Sequence, residues 1–112
     1  MTTEELLEAF CNAGRHIFTT QTSKRSPEIR KLLRHEPVTI EGVEYNCLKE
    51  LVVEKTAEHI RSVLPDAEIE VELNGNDSTV TVDLTDKEKR KLTSSLYVFL
   101  KENNCLTGRF IR

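Results

Sequence analysis

The N-terminal segment has the hydrophobic spacing of an amphipathic helix. Its apolar positions recur at intervals of three and four residues, so at about 100° per residue they fall on one side. Thr2 and Glu5 form a capping-box pattern, and acids in the first turn favour a helix N-terminus. We predict a first helix whose inner face consists of Leu6, Leu7, Phe10, Cys11, Gly14, Ile17 and Phe18.

The polar segment TTQTSKRS follows without periodicity, and we predict a flexible loop at residues 19–26. Ser26, Pro27 and Glu28 then supply a hydroxyl cap, a proline at the first position and an acid in the first turn, which predict a helix start. This short helix should end before Pro37. Its inward residues are Ile29, Leu32 and Leu33, and its outward residues are Arg30, Lys31 and Arg34.

The segment VTIEGVEYN alternates between apolar and polar residues, but the phase shifts at Gly42. A phase shift at glycine predicts a tight hairpin or a bulge. Asn46 can then cap a third helix, from about residue 47 to residue 64, which Pro65 ends.

Residues 68–84 show the most regular alternation in the chain. Two apolar–polar repeats flank the turn sequence NGND, which predicts a two-faced hairpin. Thr85 with Glu88 forms a second capping box and predicts a last helix. The C-terminal LTGRFIR allows a final edge strand. The inner face of the hairpin is predicted to consist of Ile69, Val71, Leu73, Val80, Val82 and Leu84.

This order of elements predicts an α+β fold, with two N-terminal helices followed by a small antiparallel sheet that two helices cover on one face. From residue 38 onward two arrangements fit the pattern. One is the ferredoxin-like order, and the other is two hairpin–helix units in tandem.

Length and composition predict one domain over residues 1–112 with one hydrophobic core, since 38% of the residues are apolar. The acidic N-terminus is unlike a secretory signal, and no apolar run approaches the ~18 residues of a membrane span. We therefore expect a cytoplasmic protein without a membrane partner. The three cysteines, Cys11, Cys47 and Cys105, are widely spaced, and we expect reduced thiols.

Candidate chemistry is sparse. The histidines His16, His35 and His59 lack the i, i+4 spacing of paired metal ligands, and no phosphate-binding glycine motif is present. A cysteine nucleophile would need a nearby histidine, which the sequence does not indicate. We predict no enzymatic activity, no metal site and no cofactor.

Charge is strongly segregated although the net charge is only -3. Residues 36–85 carry a net charge of -9, whereas residues 14–35 carry +5 and residues 86–112 carry +4. Such segregation creates local fields that attract a charged partner.

The acidic row of the hairpin is the first candidate site. Glu68, Glu70 and Glu72 should lie about 7 Å apart on one strand face, with Asp83 across the hairpin. One interpretation is a solvated face whose charges prevent sheet pairing with other chains. The functional interpretation is a docking surface for a basic protein, including one that normally binds nucleic-acid phosphates. On this basis we favour a small regulatory or adaptor protein that binds another protein.

The alternative is a nucleic-acid-binding protein. Basic residues concentrate at positions 24–35 and 87–91, and cations at a helix start oppose the helix dipole, which favours a contact role. The sequence leaves the partner and the oligomeric state open, a homodimer included. The candidate phosphate contacts are Lys24, Arg25, Arg30, Lys31, Arg34, Lys87, Arg90 and Lys91.

Overall fold

A computed structural model describes residues 2–21 and 26–105. These residues form an α+β structure of helices and two small hairpins, as predicted for the fold class. The elements are α1 (Thr3–His16) with a π-helical segment (Ile17–Gln21), α2 (Pro27–Leu33), β1 (Val38–Ile40), β2 (Val43–Tyr45), α3 (Leu48–Val63), β3 (Ile69–Glu72), β4 (Thr79–Val82) and α4 (Asp86–Glu102).

Three helix starts are capped as the sequence predicts. The backbone N–H of Glu5 donates to Thr2 Oγ1 at 3.1 Å, and the Glu5 carboxylate accepts from the Thr2 N–H at 3.0 Å. The same reciprocal pair joins Thr85 and Glu88 at α4. Ser26 Oγ accepts from the Ile29 N–H at α2. Each cap satisfies a backbone donor that the first helical turn leaves without an internal partner.

The start of α3 differs from the prediction. The capping residue is Cys47, not Asn46, and it makes no side-chain capping bond. The carboxylate of Glu50 instead accepts from the Asn46 backbone N–H at 2.7 Å. Glu50 thus bonds the residue before the cap, a different donor from the first-turn N–H that the Asn46 side chain was expected to bond.

The first residues of the predicted loop at residues 19–26 have helical backbone. Helical backbone continues past α1 as a π-helical segment through Gln21, and residues 22–25 lie outside the described residues. The Thr19 hydroxyl donates to the Arg15 carbonyl at 2.9 Å, and the Thr20 hydroxyl donates to the His16 carbonyl. These side chains satisfy carbonyls where the regular helical hydrogen-bond pattern changes.

The described strands form two separate antiparallel pairs, β1–β2 and β3–β4. Glu41 and Gly42, with φ of 51° and 82°, connect β1 to β2, so the phase shift marks a two-residue hairpin turn. Along the chain, α3 follows the first of these hairpins and α4 follows the second. The suggested C-terminal edge strand falls on residues 106–112, outside the described residues.

The core consists of two hydrophobic clusters that share α1 and α3, where the sequence predicted one core. The first cluster joins α1 to the C-terminal end of α3 and to α4. The second joins α2 and β2 to the N-terminal half of α3. Val80 of β4 packs against both clusters, which places the second hairpin across them.

Candidate functional site

The acidic face of the second hairpin comprises Glu68, Glu70, Glu72 and Asp83. All four residues are exposed, and the apolar residues between them point towards the core, so the predicted phase is confirmed. Burial is less complete than expected. Val82 is buried, whereas Ile69, Val71, Leu73, Val80 and Leu84 are half-buried, because this face packs on helices at the margin of the core.

Strand register brings the acidic residues together. Glu70 lies opposite Thr81 and Glu72 opposite Thr79, and continuing the same register places Glu68 opposite Asp83. Glu68, Glu70 and Asp83, with Thr81, line one shallow surface recess of about 150 Å³. Glu70 and Glu72 line an adjacent recess with Thr79 and Thr81. The four predicted residues therefore form one continuous surface.

Among the described residues, no Lys or Arg forms an ion pair with the acidic face. Within the described residues the ion pairs are Arg34–Glu36 and Lys55–Glu58, and neither involves the acidic face. The cross-strand neighbours of Glu70 and Glu72 are threonines. Like charges placed opposite each other, such as Glu68 and Asp83, lower the stability of a hairpin. The acidic face thus leaves several carboxylates available to a partner.

Glu50 holds the turn of this hairpin through a hydrogen bond, a role that was not predicted from the sequence. Its side chain is 2% exposed. One carboxylate oxygen accepts from the Asn46 N–H at 2.7 Å and the other from the Gly75 N–H at 2.8 Å. Its position three residues after Cys47, where a capping box places an acid, is the signal that could have identified its local role. The contact with Gly75, 25 residues away, has no sequence signal.

The basic residues of the alternative interface are exposed but divided between two elements. Arg30, Lys31 and Arg34 project from α2, which packs in the second cluster, and Arg34 pairs with Glu36. The remaining described candidates lie at the start of α4, which packs in the first cluster. Lys24 and Arg25 fall outside the described residues. The candidate contacts on α4, all exposed, are Lys87, Arg90 and Lys91.

An apolar cavity of about 180 Å³ lies among α1, the π-helical segment, α3 and α4. His59 stands between two aromatic rings on its wall, with ring centroids 5.0 Å from Phe10 and 5.4 Å from Phe99. Its Nε2 forms a hydrogen bond with Ser95 Oγ at 2.7 Å. Burial lowers the pKa of His59 below its usual value, so the ring is neutral at neutral pH. The sequence predicted Phe10 on the inner face of the first helix but gave no indication that His59 would pack against it.

The three cysteines lie in the interior of the fold. All three are buried, and none forms a disulfide. Cys11 Sγ lies 3.6 Å from Thr56 Oγ1, and Cys105 Sγ donates to the Asn103 carbonyl at 3.3 Å. No group of three or more His, Cys, Asp or Glu side chains within residues 2–21 and 26–105 is placed to hold a metal ion.

Across the part of the chain that the structure describes, none of the helices has both the length and the apolar composition needed to cross a bilayer. Comparisons with protein-family models, with curated proteins and with solved structures found no match to this chain. Its function must therefore be argued from its own residues.

Proposed function

We propose that this protein is a non-catalytic regulatory or adaptor module that binds a basic segment of another protein through the acidic face. The observation that supports this proposal is the grouping of Glu68, Glu70 and Asp83 around one recess. None of these three carboxylates forms an ion pair with a described Lys or Arg. Mutual repulsion makes the grouping unfavourable for the isolated hairpin. A partner that brings positive charge removes that repulsion on binding.

The spacing of the carboxylates defines the chemistry of the partner. Glu68, Glu70 and Glu72 alternate along an extended strand, which separates successive side chains on one face by about 7 Å. A partner strand with Lys or Arg at every second position presents its charges at the same interval. The basic surface of a protein that binds nucleic-acid phosphates would also suit this row of carboxylates.

The proposal is tested by NMR titration with a peptide of alternating lysine and threonine. Amide shifts should concentrate at residues 68–72 and 79–83 and should weaken as salt is added, because exposed charge pairs are screened. The acidic-face variant combines Glu68→Gln, Glu70→Gln, Glu72→Gln and Asp83→Asn, and it should lose these shifts.

A charge-matched control variant changes four exposed acids elsewhere: Glu8→Gln, Glu41→Gln, Glu44→Gln and Glu102→Gln. It should bind the peptide as the wild type does. Shifts spread evenly over all exposed acids, or equal binding by both variants, would contradict the proposal.

Nucleic-acid binding is the second candidate function. It is favoured by five exposed cations, of which none belongs to an ion pair among the described residues. These cations are divided between two helices, α2 and α4, and acidic residues lie near them. Both features argue against a continuous phosphate-binding surface. These cations are Arg30, Lys31, Lys87, Arg90 and Lys91.

A further inference from the structure

The cavity among α1, α3 and α4 has the size and lining of a small-ligand site. Its volume of about 180 Å³ exceeds the ~150 Å³ of an engineered apolar cavity that binds benzene. Phe10, Phe99 and Val52 contribute apolar walls, and the π-helical segment contributes Ile17 and Phe18. The cavity shares no lining residue with the acidic face.

Gly14 keeps one wall of the cavity open. Glycine is less favourable than alanine inside a helix, so its presence in α1 needs another reason. Close packing is not that reason. A Cβ at position 14 would meet Val52 Cγ1 at 3.5 Å, an ordinary contact, and apart from its chain neighbours and the backbone of α1 the described residues place no other heavy atom within 4 Å. A side chain much larger than alanine at this position would take space from the cavity.

The charged group on the cavity wall is a cation. Lys55 lines the cavity, and its ammonium pairs with Glu58 at 3.1 Å on the exposed side. This hydrogen bond raises the pKa of Lys55, so the amine remains protonated. The described residues that line the cavity include no Asp or Glu. Glu58 is not among the lining residues, so a ligand carboxylate would share the Lys55 ammonium with Glu58, whereas a ligand cation would find only the ammonium on the wall.

We infer that this cavity binds a small aromatic or branched aliphatic carboxylate. The apolar body occupies the space between Phe10, Phe99 and the open face of Gly14, and the carboxylate meets Lys55. The site goes beyond the proposed protein-binding function because it uses a different surface and a different ligand class.

The test uses the full chain and two probes, benzoate and phenylacetate, followed by amide NMR shifts and thermal unfolding. Saturable shifts should centre on residues 10–18, 55–59 and 99, and both probes should raise the unfolding temperature. Benzylamine, which has a similar shape and the opposite charge, should cause neither effect. Absence of saturable shifts with both carboxylates would overturn the inference.

Three variants separate the contributions of shape and charge. Gly14→Met should fill the cavity and weaken binding at least about tenfold, because a clash excludes the ligand. Gly14→Ala should stabilise the helix and retain binding. Lys55→Met should weaken carboxylate binding about fivefold, as expected for one exposed charge pair.

Equal affinity in the wild type and a folded Gly14→Met variant would contradict the inference. Shifts at Phe99 that depend on protein concentration without ligand would also contradict it, because they would assign the cavity to a second copy of the chain.

Discussion

At the scale of single residues, Glu50 is the most informative side chain in the structure. Its buried carboxylate accepts hydrogen bonds from two backbone segments, one at the start of α3 and one in the turn that carries the acidic face. A buried donor that loses its acceptor destabilises the folded state, because its hydrogen bond to water is lost on folding and is not replaced. Glu50 therefore couples the helix start to the position of the hairpin.

Glu50→Ala is expected to lower the free energy of unfolding by ~3 kcal/mol, because it removes a charged acceptor from two donors. Glu50→Gln should cost less, since one oxygen remains. Glu54→Ala, on the same helix, should stay within ~0.5 kcal/mol of the wild type. Urea unfolding measures all three, and equal losses at positions 50 and 54 would refute the coupling role.

His35 occupies a backbone position that favours glycine. Its φ is 60°, and it follows the last turn of α2, where the Glu36 N–H donates to the Lys31 carbonyl at 2.9 Å. This is the pattern of a helix end closed by a left-handed residue. His35→Gly should raise the free energy of unfolding by about 0.5 to 1 kcal/mol. His35→Ala is the control and should give no gain, and a loss of stability in the glycine variant would count against this assignment.

At the scale of elements, the buried and exposed faces of the second hairpin can be tested by introducing aspartate at each of two neighbouring positions. Val82→Asp places a charge on the buried side and should cost several kcal/mol. Thr81→Asp places the same residue on the exposed side opposite Glu70 and should cost at most ~1 kcal/mol through like-charge repulsion. Thermal unfolding of both variants gives the comparison, and equal losses would disprove the assigned faces.

Local signals allowed much of this architecture to be predicted from the sequence. Capping pairs act over three residues and strand alternation over two, so Thr2, Ser26, Thr85 and the phase of the acidic row were correctly placed. Long-range contacts were not predictable. The bond from Gly75 to Glu50 depends on the packed fold. The separation of the two hairpins likewise depends on which strands meet, and the cavity depends on how three helices pack.

At the scale of the whole molecule, the apolar residues that stabilise the fold and the exposed charged residues lie on opposite sides of the helices, as α2 shows. The basic residues of α2 are exposed, whereas Ile29 and Leu32 on its inner side are buried at 5% and 1% exposure. Replacing Arg30, Lys31 and Arg34 with glutamine should therefore change stability by less than ~1 kcal/mol per charge.

The same triple variant tests the second candidate function. We expect no submicromolar binding of duplex DNA by the wild type at about 150 mM salt, since the acidic residues repel phosphates. A matched triple change at Lys87, Arg90 and Lys91 is the control for α4. Tight duplex binding that either triple variant abolishes would favour nucleic acid over protein as the partner.

The most direct test of the acidic face as a protein-binding surface is affinity capture from the native host after nuclease treatment, quantified by mass spectrometry. The wild type and the charge-matched control variant should retain the same protein partner, and the acidic-face variant should lose it while remaining folded. Retention of that partner by all three proteins, or its loss on nuclease treatment alone, would contradict the account.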